Sequence, residues 1–181
     1  FATVVFLAGG VLGTFHHMYW SGTPTGVLAL GATFSALEVV PLALVSLEAH
    51  ETWTHSRATG WLERYRWPIL FFLAVSFWNL VGAGLFGFLI NTPIALYFMQ
   101  GLNLTPLHGH TALFGVYGML GLGLMLFCLR GLRSDAHWHT GLVRGAFWSL
   151  NIGLALMALL TLLPLGVLQL RGTLIRAFDV S

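Results

Sequence analysis

The 181-residue chain has no lysine, one cysteine and only 8% charged residues: eight arginines against six acids, for a net charge of +2. Soluble domains carry about 25% charged residues and about 45–50% apolar ones; here 57% are apolar. So little charge cannot clothe a compact soluble body of this size. High hydrophobicity excludes disorder, and the small net charge leaves no basic stripe for nucleic acid. The lone Cys128, within an apolar run, excludes an internal disulfide framework. Phe1 stands inside an apolar stretch with neither a basic leader region nor a small-residue cleavage site. It therefore reads as part of a piece cut from a longer chain, not as a signal peptide.

What is present is long apolar sequence. A helix crosses a bilayer with about 20 mainly apolar residues, and five stretches qualify: residues 1–20, 25–48, 67–90, 106–130 and 143–170. The expected fold is all-α: one integral-membrane domain over residues 1–181, a polytopic bundle of five spans. Thr23-Pro24 predicts a helix start with threonine as N-cap and proline in the first turn, and Thr105-Pro106 repeats the signal. Many of the 22 glycines lie within the spans, where small residues let helices approach closely. Arg57, Arg64 and Arg66 precede span three, and Arg130, Arg133 and Arg144 lie between or beside spans four and five. The loops 21–24 and 91–105 carry no basic residue, so the arginine-bearing loops are expected in the cytoplasm. Arg171 and Arg176 fall on the opposite side.

Eight histidines divide into two sorts. His50, His55, His137 and His139 read as solvated loop residues; the His137-Trp138-His139 spacing alone is weak support for a metal. His16 and His17 end span one, and His108 and His110 open span four. With alternating spans, both pairs lie several ångströms inside the same, outer, side of the membrane. Intramembrane ionisable residues are functional candidates by default. Adjacent helical residues are about 100° apart, so His16 and His17 can converge on one ion, suited to copper or non-haem iron. His108 and His110, about 200° apart, face opposite sides of their helix and can each hold a separate centre, as two haem irons would require. Two imidazoles do not complete a metal site, so further ligands are expected outside this piece. Glu38 sits in mid-span two, where a carboxylate is costly unless paired, protonated or metal-bound. Counted from Pro24 it lies about 20 Å along its helix, deeper than the histidines. It reads as a neutral carboxyl bonded to a neighbouring helix, a metal partner or a proton carrier.

An HH pair ending one helix and an HxH pair opening another, three helices on, resembles the catalytic subunit of the haem–copper oxidase superfamily. His108-Gly109-His110-Thr111-Ala112-Leu113-Phe114-Gly115-Val116-Tyr117-Gly118 and Ser35-Ala36-Leu37-Glu38-Val39-Val40-Pro41-Leu42 most resemble the nitric oxide reductase branch. The resemblance covers nearly the whole chain and implies helices seven to eleven of a twelve-helix core. It implies that His16 and His17 are two of three histidines on a non-haem iron. His108 would be the axial ligand of a high-spin haem b and His110 that of a low-spin haem b, two haems b in all. Glu38 would be the family's buried glutamate in proton supply. The implied reaction reduces two NO to N2O and water in a bacterial cytoplasmic membrane. Electrons would come from a cytochrome c-type subunit or quinol, and this piece alone would be inactive for want of ligands. An oxygen-reducing terminal oxidase is the alternative within the superfamily. Many oxidases place a lysine in the helix after the HH pair; this chain has none, and Glu38 is its ionisable group there. A transporter or proton channel is the alternative of another class. It accounts for buried His and Glu, but not for the HH and HxH pairs at one depth.

Overall fold

A computed structural model describes residues 2–55 and 60–178. Arg57, one of the orientation arginines, lies outside them, as does Phe1. The described chain is helical. Four helices are long and apolar enough to cross a membrane: Thr25–His55, Gly60–Asn91, Leu104–Leu132 and Thr140–Phe178. The expected first span is α1 (Ala2–Gly13) continued by a 3-10 segment, Thr14–Ser21. Gly22 ends it at φ 74°, a left-handed conformation open to glycine at no steric cost. Large apolar side chains point outward along the bundle, Leu132 being 83% and Ile94 79% exposed. That is the surface expected of helices facing hydrocarbon.

The second span is α2 (Thr25–Leu37) and α3 (Val39–His55), interrupted at Glu38. Pro41 is the cause. It has no N–H for the carbonyl of Leu37 and its ring crowds that carbonyl, so the helix breaks one turn before it. The third span is α4 (Gly60–Trp78), a π segment (Asn79–Phe86) and α5 (Gly87–Asn91). The short α6 (Pro93–Met99) follows. The fourth span is α7 (Leu104–Ala112), a π segment (Leu113–Gly118) and α8 (Met119–Leu132). The fifth is α9 (Thr140–Leu156), a π segment (Met157–Leu162) and α10 (Leu163–Phe178). Pro164, which cannot bond to the carbonyl of Leu160, accounts for the last π segment.

The predicted starts shift. Pro24 is itself the N-cap, and the Thr23 hydroxyl bonds Ser21 instead of the helix. In the fourth span Asn103 is the N-cap, and Thr105 Oγ1 donates to the Met99 carbonyl at 3.3 Å. The third and fifth helices extend beyond the expected apolar limits. Arg64, Arg66, Arg171 and Arg176 are therefore helical, not in loops, and Arg144, inside the expected fifth span, is helical as well. Helical turns continue where the chain leaves hydrocarbon, because backbone bonding does not depend on the solvent change.

One core cluster joins the third, fourth and fifth spans through Phe71, Trp78, Met119, Phe147 and Leu154. Trp78 Nε1 donates to Asn151 Oδ1 at 2.9 Å, tying the third span to the fifth. A second cluster, Ile90, Leu104, Leu107 and Ala158, closes the opposite end.

Candidate metal and haem site

Three spans place the predicted polar residues around one recess. His16 and His17 come from the 3-10 segment, Glu38 from the break between α2 and α3, and His108 from α7. All four line a cavity of about 350 Å³. His16 is buried, and its ring lies 4.0 Å, centroid to centroid, from that of His17. Gly31 of α2 gives the histidine segment its close approach: a Cβ there would meet the His16 backbone nitrogen at 2.7 Å. The Glu38 side chain lies against Gly9 of α1, where a Cβ would meet its Cγ at 2.9 Å. Glu38 thus sits about two helical turns below the histidines yet opens onto the same recess, which spans both depths.

His108 is fixed from another span. Its Nδ1 donates to the Gly82 carbonyl at 2.8 Å. Gly82 lies in the π segment of span three, and a Cβ on it would meet Thr111 backbone carbon at 2.7 Å. Gly87 flanks the ring, with its own Cβ position 2.9 Å from His108 Cε1. His110 does not enter the recess. It is exposed on the other side of α7, and its Nδ1 donates to the Pro106 carbonyl at 2.8 Å. The Nδ1 of His16 likewise donates to the Gly13 carbonyl. In each case a carbonyl acceptor puts the proton on Nδ1 and leaves Nε2 with its lone pair. That is the tautomer a metal-ligating imidazole requires. The donor set therefore fits imidazole ligation of a metal at His108, His110 and His16. A Cβ on Gly109 would meet nothing within 4 Å, so the backbone between the two histidines is uncrowded. Among the described residues no three His, Cys, Asp or Glu side chains form a metal cage.

The recess also contains polar residues that sequence reading passed over: Thr14, Ser35, Asn79 and Tyr117. Asn79 carried a signal, being an amide in the middle of an apolar span. Its π segment and that of residues 113–118 both border the recess, through Asn79 and Ala83 and through Val116 and Tyr117. π turns recur at functional sites because they displace backbone groups from the regular ladder. Buried Asn91 donates from Nδ2 to Ser35 Oγ at 3.2 Å, linking α5 to α2 beside the recess. His50, His55, His137 and His139 are not part of it. His55 bonds the Glu51 carbonyl at 2.9 Å and His137 the Ser134 hydroxyl at 2.8 Å.

Residues 1–180 match the family model described as Cytochrome C and Quinol oxidase polypeptide I. A nitric oxide reductase subunit of Stutzerimonas stutzeri is 31% identical over 169 residues, which is 91% of this chain and 35% of that relative. The chain thus spans about a third of the length of the curated relative it matches.

Proposed function

The chain belongs to the Cytochrome C and Quinol oxidase polypeptide I family, and from that premise we propose that it is part of the catalytic core of a nitric oxide reductase. The protein would be a multi-pass oxidoreductase of a bacterial cytoplasmic membrane that reduces two NO to N2O and water. Its electrons would come from a cytochrome c-type subunit or from quinol. The observation that carries this reading is the convergence of His16, His17, Glu38 and His108 on one recess, with His110 turned to the opposite side of α7. Similarity to the reductase relative over nine-tenths of the chain supports that branch, as does Glu38 in a chain without lysine.

In this reading His16 and His17 hold a non-haem iron, His108 a high-spin haem b and His110 a low-spin haem b. When bound, these groups supply electron transfer and Lewis-acid polarisation of the N–O bonds. The chain's own residues do the rest. The Gly82 carbonyl fixes the plane and tautomer of the His108 ring. Apolar walls at Phe6, Leu42 and Val116 narrow the access of water. Confining two small reactants in one recess raises their effective concentration. Glu38 stands at the lower wall, where its carboxyl can hold a proton and hand it to the reacting oxygen.

The test is composition and turnover of the full-length protein. Two haems b and one non-haem iron per chain, no copper, and conversion of NO to N2O are the expected results. Stoichiometric copper with oxygen consumption would assign an oxidase instead. A haem-free preparation would remove the oxidoreductase reading altogether.

A further inference from the structure

Away from the histidine recess, a furrow runs between α4 and α9. It consists of two cavities of about 490 and 410 Å³ that share Leu70, Phe147 and Trp148 and so run into one another. The mouth is cationic. Arg66 and Arg144 border it, and neither pairs with a carboxylate among the described residues. Glu63, one turn before Arg66, makes no ion pair with it. Trp67 and Trp148 flank the same mouth. Deeper in, the walls are Ala74, Phe77, Ile152 and Ala155. The polar groups there satisfy each other: Trp78 Nε1 bonds Asn151 Oδ1, and Asn151 Nδ2 donates to the Phe147 carbonyl at 2.8 Å. The floor therefore presents hydrocarbon.

Dimensions select the occupant. From Arg66 to Trp78 the third span rises about 18 Å, and from Arg144 to Ala155 the fifth rises about 16 Å. Half of a hydrocarbon core of about 30 Å is about 15 Å, the depth of one leaflet. Beneath the furrow α4 and α9 stay in contact, with the Phe71 and Phe147 rings 5.3 Å apart. Packed aromatic rings thus close the furrow from below. An acyl chain fits. Arginine at the mouth, tryptophan at headgroup level and apolar walls below reproduce the order of a leaflet, phosphate to chain.

We propose that the furrow between α4 and α9 binds one anionic phospholipid of the cytoplasmic leaflet, its phosphate held by Arg66 and Arg144 and an acyl chain lying along the walls. The site is separate from the histidine recess and does not depend on the reaction assigned there.

The experiment uses the full-length protein in phosphatidylcholine bilayers, titrated with phosphatidylglycerol or phosphatidylcholine carrying brominated chains, with tryptophan fluorescence quenching as readout. Wild type is expected to prefer phosphatidylglycerol by about tenfold, given two cations at the membrane surface. R66Q/R144Q is expected to bring the ratio to about one, whereas R171Q/R176Q, altered at the opposite end of the fifth span, keeps it. Ile152→Trp fills the furrow while leaving both arginines, and is also expected to lose the preference; being half exposed, Ile152 tolerates the change. Equal quenching by both lipids in wild type overturns the proposal, as does a preference surviving R66Q/R144Q or Ile152→Trp. Displacement of phosphatidylglycerol by an equal concentration of inorganic phosphate overturns it too, by reducing the site to a headgroup anion site.

Discussion

A neutral imidazole carries one N–H, and the carbonyl that accepts it decides which nitrogen is left for a metal. For His16 and His110 that carbonyl lies three or four residues back along the same span, so the histidine orients itself. For His108 it is Gly82, on another span, and ring orientation depends on how closely two helices approach. Gly82→Ala is expected to force α7 away, because its methyl would stand 2.7 Å from the Thr111 backbone carbon. The cost is about 1–3 kcal/mol of stability by the usual scale of overpacking, read as a lower melting midpoint of the purified protein. The His108 bond to Gly82 would lengthen with it and change the spectrum of the haem proposed there. Glu38 tests the other end of the recess. If it carries protons, Glu38→Gln lowers NO turnover by about a hundredfold or more with haem and iron content unchanged, and Glu38→Asp keeps part of the activity. Loss of iron from Glu38→Gln would instead make the carboxylate a ligand.

Prolines shape the elements, and each leaves a carbonyl that something else must satisfy. In α4, Pro68 cannot donate to the carbonyl of Arg64, and Arg130 Nε of α8 does so instead at 2.9 Å. The same guanidinium pairs with Asp135 and lies 5.1 Å from the Trp138 ring centroid. One buried arginine therefore closes the bond that a proline opened and anchors the turn after α8. Arg130→Gln is expected to cost about 1–3 kcal/mol by orphaning the half-buried Arg64 carbonyl. In a Pro68→Ala background that cost should fall, because residue 68 regains an N–H for Arg64. A double-mutant cycle in thermal melts measures the coupling, and strict additivity would refute this account. Asp135 adds a pH dependence outside the membrane. The Arg130 hydrogen bond and charge hold its carboxyl below the ordinary value of 3.8. A depressed acid stabilises above its unfolded value and loses that contribution as pH falls through the folded one. Wild type should therefore melt above Asp135→Asn at neutral pH, and the two should converge only in acid, below the ordinary value of 3.8. The prolines were legible in the sequence; their consequences were not, because the rescuing groups lie on other spans. Pro41 is the clearest case. Residue counting made Glu38 a regular helical position, whereas the helical bonding is interrupted there within a helix that continues to His55, and the carboxylate lines the recess.

At the scale of the molecule, scarcity of charge was enough to read the all-helical, multi-pass architecture, because hydrocarbon admits few alternatives. It could not mark where helices end, since Arg64 and Arg66 remain helical before the apolar stretch of the third span. Nor could it show that the first span finishes as a 3-10 segment. The histidine pairs could be picked out by their spacing, and His108 and His110 stand on a regular helix as expected, whereas His16 and His17 stand in a 3-10 segment, where neighbours are about 120° apart and not 100°. Asn79, Ser35 and the Gly82 carbonyl were not legible, because their place at the recess depends on π turns and on close packing between helices. What the bundle adds is a partition. α7 stands as a wall with His108 on the recess side and His110 on the exposed side, each held by its own carbonyl. No hydrogen bond joins the two rings among the described residues. The two centres proposed for them should therefore be lost separately. In the full-length protein, His110→Ala is expected to remove the low-spin haem signal and leave the high-spin one, and His108→Ala to do the reverse, each preparation keeping one haem of two. Optical and paramagnetic resonance spectra distinguish these states. Loss of both haems from either single variant, in protein that still elutes as a folded species, would mean that α7 does not divide two independent sites.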